Sequence, residues 1–211
     1  DVILLENVKN LKSHNKNRTY NIISKTLKKP KRGLEYFVKE KIIDASKWVP
    51  QHRERIFILA VKKSFKRGLT EEFHESIFPN APIKKSKTLL NILEDSVDTK
   101  YTVPLGTWNA LKRHAERHKN KGNGFGYGKI DPPFKDKISR TLSARYYKDG
   151  AEILIGDGSR KRPRRLTPLE CLRLQGFPKK YEKFYNGKLE QPVSDHQAYK
   201  QFGNSVSVPL L

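Results

Sequence analysis

Strand and helix signals alternate over the first 63 residues, and that alternation limits the fold more than any other feature of the chain. Val2-Ile3-Leu4-Leu5 is an apolar run with β-branched members that stops at Glu6-Asn7. It reads as a buried strand. Tyr20, Ile23 and Leu27 recur at helical spacing, so residues 19–28 read as a helix, ended by Pro30 and Gly33. Residues 36–44 and 56–61 are two further strand segments. This order predicts an α/β fold with a parallel sheet.

From about residue 64 the texture changes. Short apolar pieces are separated by Pro, Gly, Asn and Lys. A helix is expected over 107–119. Gly122, Gly124, Gly126 and Gly128 then interleave with Asn123, Phe125 and Tyr127. Residues 138–155 read as a hairpin turning at Lys148-Asp149-Gly150. Thr167-Pro168-Leu169-Glu170 is a capping box with proline at the first helical position, and Gly176 closes that helix. Ser194-Asp195-His196-Gln197 reads as a second capping box, closed by Gly203. The expected organisation is the end of a larger α/β domain in 1–63, a smaller irregular, β-rich domain in 64–190, and a return of the chain to the first domain in 191–211.

Charge narrows the partners. Lys plus Arg number 44 against 22 Asp plus Glu, a net +22. The excess is +10 in 1–63, +6 in 64–155 and +6 in 156–211, so it belongs to the whole surface rather than to a tail. Such a surface suits a polyanion, above all nucleic acid. Ten Phe and nine Tyr argue against a disordered basic tail. No apolar run approaches the roughly 18 residues that span a bilayer, and no signal-peptide pattern opens the chain, so no membrane partner is expected. The single cysteine, Cys171, excludes internal disulfides and zinc sites with two thiolates, and fits a reducing, cytoplasmic setting. His114 and His118 lie four apart on the expected helix with no third ligand nearby. They read as a solvated face, and no metal is expected. The chain has no methionine and carries apolar runs at both ends, from which a piece of a longer or split protein is expected.

Glu6 falls at the carboxyl end of the first strand, the edge at which open α/β sheets bind ligands. A carboxylate there can hydrogen-bond or protonate a substrate, although alone it reads first as a solvated loop residue. Gln51-His52-Arg53-Glu54-Arg55 precedes the strand at 56–61. Arg53 and Arg55 alternate, so both can point one way and grip a phosphate or a base carbonyl. Alone, they read as a solvated basic edge.

The order of these blocks is more specific than any one of them. Glu6-Asn7-Val8 comes first, then Gln51-His52-Arg53-Glu54-Arg55. Arg165-Leu166-Thr167-Pro168 follows, running on to Arg173-Leu174-Gln175-Gly176-Phe177-Pro178, and Gly203-Asn204-Ser205-Val206 comes last. The series resembles the C-terminal half of the DNA cytosine-5 methyltransferases. The segments 121–128 and 140–154 are similar to the target recognition domain of that family's Dcm type, which methylates the inner cytosine of CC(A/T)GG. The resemblance implies the C-terminal part of a Rossmann-like class I methyltransferase domain plus a target recognition domain. It also implies double-stranded DNA as partner, S-adenosylmethionine as cofactor, no metal, and a place in the bacterial cytoplasm at the nucleoid, in a restriction-modification setting.

The resemblance further assigns roles. In this family a cysteine thiolate adds to carbon 6 of a flipped cytosine, which makes carbon 5 able to take the methyl group. Glu6 matches the carboxyl group that holds ring N3 and the exocyclic amine. Arg55, with Arg53, matches the basic pair near the cytosine O2. Asn204 and Ser205 match the block that closes over the cofactor. Asn123, Arg140, Thr141 and Arg145 are expected to read bases, and Lys119 and Lys121 to contact phosphates. The family's Pro-Cys nucleophile and glycine-rich cofactor loop lie upstream of the Glu-Asn-Val block and are not in this sequence, so the partner expected is the N-terminal half of the same enzyme. Cys171 lies in the capped helix and reads as structural. The alternative is a non-catalytic recognition subunit of a split methyltransferase. The family's transfer-RNA branch has a shorter segment between the second and third blocks.

Overall fold

The computed structural model describes residues 2–29, 35–63, 77–82, 88–124, 126–156, 158, 162–187 and 191–211. Packing divides the chain into two units, 1–44 with 54–81, and 45–53 with 82–211. The division differs from the expected one in three places, the first being that the first unit runs on to residue 81 rather than ending at 63. The linker 45–53 and the last segment 191–211 both pack with the second unit.

The first unit is built on three strands: β1 (Val2–Val8), β2 (Tyr36–Asp44) and β3 (Glu54–Lys62), in the order β1-β3-β2. β3 is central because it alone is apolar on both faces, with Ile56 through Val61 all buried. Both pairings are antiparallel, which corrects the parallel sheet predicted from alternation. Only nine residues join β2 to β3, and a parallel crossover needs a dozen or more. β1 and β2 do run the same way, joined through α1 (Arg18–Lys28), but β3 lies between them. β1 is also longer than predicted and not buried. Among the described residues it pairs on one side only, and Val2, Leu4 and Val8 are each about half exposed (60%, 51% and 50%). The residues expected to end α1, Pro30 and Gly33, lie outside the described set.

The second unit has a continuous core that includes Leu89, Leu142, Tyr146, Leu166, Leu172 and Tyr199. Its secondary elements are α2 (Leu105–Asn120), β4 (Lys129–Ile130), β5 (Leu154–Ile155), β6 (Arg164–Arg165), α3 (Pro168–Leu174) and α4 (Asp195–Asn204). β5 pairs parallel with β4 and antiparallel with β6. The hairpin expected over 138–155 is therefore absent. Residues 143–148 form successive turns, in which the Tyr146 and Lys148 amides donate to the Ser143 and Arg145 carbonyls at 3.2 and 2.9 Å. Local turn bonds and the burial of Leu142 and Tyr146 override the two-residue alternation there. The Thr167 capping box forms with both of its bonds. Its glutamate also anchors the unit: Glu170 is fully buried, takes two hydrogen bonds from Arg164 (2.7 and 2.8 Å), and accepts one from the Glu94 amide. The second box forms only in part, with the Ser194 hydroxyl accepting from the Gln197 amide.

Gly203 does not close α4, which runs on to Asn204. Its role is close approach. A Cβ there would stand 2.2 Å from the Ser143 carbonyl oxygen. Gly203→Ala is expected to destabilise the protein by about 1–3 kcal/mol, the usual cost of overpacking. The urea midpoint measures it; an unchanged midpoint contradicts the close packing.

Candidate functional site

In the first unit, antiparallel register sets Glu6 opposite Phe57 and Val8 opposite Arg55. Glu6 and Arg55 are thus diagonal neighbours on one face of the sheet, within reach for a long side chain. Arg55 Nε donates to Glu6 Oε1 at 3.0 Å, and both side chains are largely shielded, at 14% and 24% exposure. Arg55 also donates to the Glu54 carbonyl at 2.9 Å. Burial pulls the Arg55 guanidinium below its ordinary pKa, while the Glu6 carboxylate acts in the opposite direction. One oxygen of Glu6 is fixed, and the second makes no hydrogen bond with the described residues. A carboxyl group held at one oxygen and open at the other can accept from, or give a proton to, a group set beside it.

Arg53 belongs to the second unit and is 2% exposed. Its guanidinium donates to the carbonyls of Leu142 (2.9 Å), Gly203 (3.0 Å) and Ser205 (2.7 Å). Protein carbonyls enclose it, so it is not presented to a phosphate or a base as the alternating pair predicted. Gln51, two residues earlier in the same extended segment, points the same way. Its Oε1 accepts from the Leu142 amide at 2.8 Å. Ser139 adds bonds in both directions: its amide donates to the Pro50 carbonyl and its carbonyl accepts from the His52 amide, both at 2.9 Å. Segments 50–53 and 139–142 are therefore stitched together, with Arg53 extending the stitch to the end of α4. Gln51 and Ser139 were not among the predicted site residues. The signal available for Gln51 was its alternation with Arg53.

The predicted DNA contacts divide into spent and unspent groups. Asn123 caps α2: its Oδ1 lies 2.6 Å from His118 Nδ1 and its amide donates to the His118 carbonyl. The Thr141 hydroxyl donates to the His52 carbonyl. Arg140 is exposed but gives one donor to the Gly126 carbonyl at 2.8 Å. Arg145, Lys119 and Lys121 are exposed, with side chains that form no pair among the described residues. The glycine stretch also divides. Gly122 and Gly124 face open space, whereas a Cβ on Gly128 would stand 2.1 Å from the Glu152 carbonyl oxygen. Only the first half of the stretch is free to approach a ligand closely.

At the end of α4, Asn204 is exposed and its side chain makes no hydrogen bond with the described residues. The Ser205 hydroxyl donates to the Phe202 carbonyl at 2.8 Å and so caps the helix. Cys171 is fully buried, and burial with the neighbouring Glu170 pushes its thiol well above the ordinary range, so it is no nucleophile. The described residues include no cluster of three metal-ligating side chains and no helix long and apolar enough to cross a membrane.

The whole chain, residues 1–211, matches the family described as C-5 cytosine-specific DNA methylase. The chain belongs to that family. Relatives include the DNA-cytosine methyltransferase of Escherichia coli strain K12, 42% identical over 99% of this chain and 47% of the relative. The type II methyltransferase M.SsoII of Shigella sonnei is 44% identical over 99% of this chain and 50% of its own length. The chain thus spans about half the length of the curated relatives it matches. Among solved structures, the Dnmt2 methyltransferase of S. pombe superposes with a TM-score of 0.70 at 19% identity, over 99% of this chain and 62% of that one. That likeness shows the methyltransferase fold.

Proposed function

We propose that this chain is the C-terminal portion of a DNA cytosine-5 methyltransferase of the Dcm type, acting on the inner cytosine of CC(A/T)GG. Membership of the family over the full chain supports the reaction class. The observation that carries the site assignment is the Glu6–Arg55 pair, with one carboxylate oxygen held and the other unspent. In this reading Glu6 holds ring N3 and the exocyclic amine of the flipped cytosine and supplies a proton as electron density reaches the ring. Arg55 fixes that carboxyl group and stands beside the cytosine O2. Arg53 acts as a positioning residue, because its donors hold the turn at Leu142 against the end of α4. S-adenosylmethionine supplies the methyl group when bound, and Asn204 is the residue of the Gly-Asn-Ser-Val block with an amide free to contact it. Ser205 fits that role less well, because its hydroxyl serves the helix cap. The thiolate comes from the remainder of the whole protein, since Cys171 is inert.

Recognition is assigned to the exposed cations of residues 119–145. Base-edge contacts specify a site, whereas phosphate contacts only position the protein on it. Arg145 is unspent, and Arg140 has a single bond to a carbonyl to exchange for a guanine edge. Arg140→Ala or Arg145→Ala is expected to cost about 1–3 kcal/mol on the cognate duplex, with little effect on scrambled DNA. Lys119→Ala and Lys121→Ala are expected to weaken both duplexes alike. Titration of the two duplexes at two salt concentrations checks this. Equal losses on both duplexes for the arginine variants would place specificity elsewhere in the second unit.

A further inference from the structure

From Asn7 to Lys29 the sequence holds seven lysines and arginines and no acidic residue, in a chain whose overall ratio is 44 to 22. The structure gathers this segment into the turns after β1 and the helix α1. Two of its cations are neutralised from outside the segment, Lys9 by Glu54 and Lys12 by Glu40. Lys16, Arg18, Lys25 and Lys28 pair with no carboxylate among the described residues. On α1, Arg18, Asn21, Ile22, Lys25 and Lys28 follow one another at helical spacing, and all five are exposed. Tyr20, Ile23 and Leu27, on the opposite side, are partly buried, as are Thr19 and Ser24 flanking them. The result is one cationic stripe along the outer face of the helix.

Helix stability alone does not account for the stripe. Lys25 and Lys28 in the last turn suit the helix dipole, but Arg18 sits in the first turn, where a cation is unfavourable and where α1 has no acidic residue at all. The turn leading into the helix is costly as well. Asn15, Lys16 and Asn17 are consecutive residues with positive φ, at 50°, 52° and 69°, and lysine tolerates that region poorly. The N-cap Asn17 makes no side-chain capping bond. Beside this turn lies a cavity of about 460 Å³ lined by Lys9, Lys12, Ser13, Asn17, Tyr20 and Asn21 among others. Its walls are more apolar than polar, and Lys9, Lys12 and Tyr20 on them already face Glu54 and Glu40, so the cations left for a phosphodiester are Lys16 and those of the helix face.

We propose that the outer face of α1, with Lys16 at its start, is a second DNA surface that binds the phosphate backbone of duplex DNA without regard to sequence. It is distinct from the recognition residues of the second unit. The proposal rests on the reading that the whole protein acts on duplex DNA, and it assigns to the first unit the holding of the duplex rather than its reading. Each phosphate neutralised releases counterions, so this surface contributes to the salt slope of binding and not to site preference.

The test compares two triple variants of the chain, each lowering the charge by three. One is Arg18→Gln/Lys25→Gln/Lys28→Gln on α1. The other is Lys148→Gln/Lys183→Gln/Lys200→Gln, at exposed lysines of the second unit. Circular dichroism first establishes that both fold. Fluorescence anisotropy then follows binding to CC(A/T)GG and scrambled duplexes across salt concentration. The α1 variant is expected to bind both duplexes about tenfold or more weakly, with the log–log salt slope falling by about 2–3, near 0.9 for each phosphate no longer neutralised. The slope of the control is expected to fall by less than a third as much. Equal effects in the two variants, or a larger effect on single-stranded RNA than on duplex DNA, overturn the proposal. Failure of the sequence preference itself would count against the Dcm-type assignment and leave the stripe result standing.

Discussion

Glu6→Gln is expected to slow methyl transfer by the whole protein about 10²–10⁴-fold, the usual worth of a positioned general acid. The substitution keeps the shape of the side chain and an oxygen for Arg55 Nε, which donates to it at 3.0 Å. It removes the negative charge opposite Arg55 and the ability to give up a proton as a carboxylic acid. Specific DNA binding should therefore stay within a few-fold, because Glu6 lies in a strand whose pairing the change does not touch. Single-turnover rates with saturating DNA, set beside equilibrium titrations, separate the two quantities. Loss of binding and turnover in equal measure would make Glu6 a structural residue of β1.

Arg53 is expected to act through stability. Arg53→Ala strips the Leu142, Gly203 and Ser205 carbonyls of their donor in a region closed to water. Each buried acceptor left unsatisfied costs about 1–3 kcal/mol, and a cavity adds to that, so a total loss near 4 kcal/mol is expected. Arg53→Lys keeps the charge but cannot reach three carbonyls with one fork, and should recover only part of the loss. Urea denaturation measures both. The decisive pair of readouts is the unfolding midpoint and the turnover of the folded fraction. A large fall in turnover with an unchanged midpoint for Arg53→Lys would show that the guanidinium touches substrate after all.

What the sequence made legible follows the physical range of each signal. The helices at 18–28, 105–120, 168–174 and 195–204 all announced themselves locally, by periodicity or by a capping side chain acting three residues away. The strands at 36–44 and 54–62 were legible for the same reason. Their partnering was not, because a strand segment does not state which neighbour it will take. Antiparallel pairing came from the nine-residue link between β2 and β3, a length that the alternation argument ignored. The false hairpin at 138–155 has a similar origin. Gly150 does turn the chain, with φ at +65°, but the pairing partners of Leu154 and Ile155 lie at 129–130 and 164–165.

The candidate site divides along the same line. Residue types at motif spacing singled out Glu6, Arg53 and Arg55, and Glu6 and Arg55 do meet. Nothing in spacing could show that Arg53 is enclosed by carbonyls 89 to 152 positions along the chain. Nor could it show that Thr141 and Ser205 spend their hydroxyls on backbone. The Arg53 and Thr141 bonds are long-range facts of packing, whereas the Ser205 hydroxyl reaches back only three residues. The interdependence of Gln51, Arg53 and the turn at Leu142 was hidden for the same reason.

The most direct measurement of the account is the identity and position of the methylated base. The chain is incubated with labelled S-adenosylmethionine and duplexes, alone and together with a segment carrying a Pro-Cys nucleophile and a glycine-rich cofactor loop, and the DNA is digested to nucleosides and mapped. The account predicts no transfer by residues 1–211 alone, since their one thiol is buried and held protonated. It predicts 5-methylcytosine at the inner cytosine of CC(A/T)GG when the two segments are combined, and none on scrambled duplexes. Methyl transfer by the chain alone, or a combined product methylated at any position other than that inner cytosine, would contradict it.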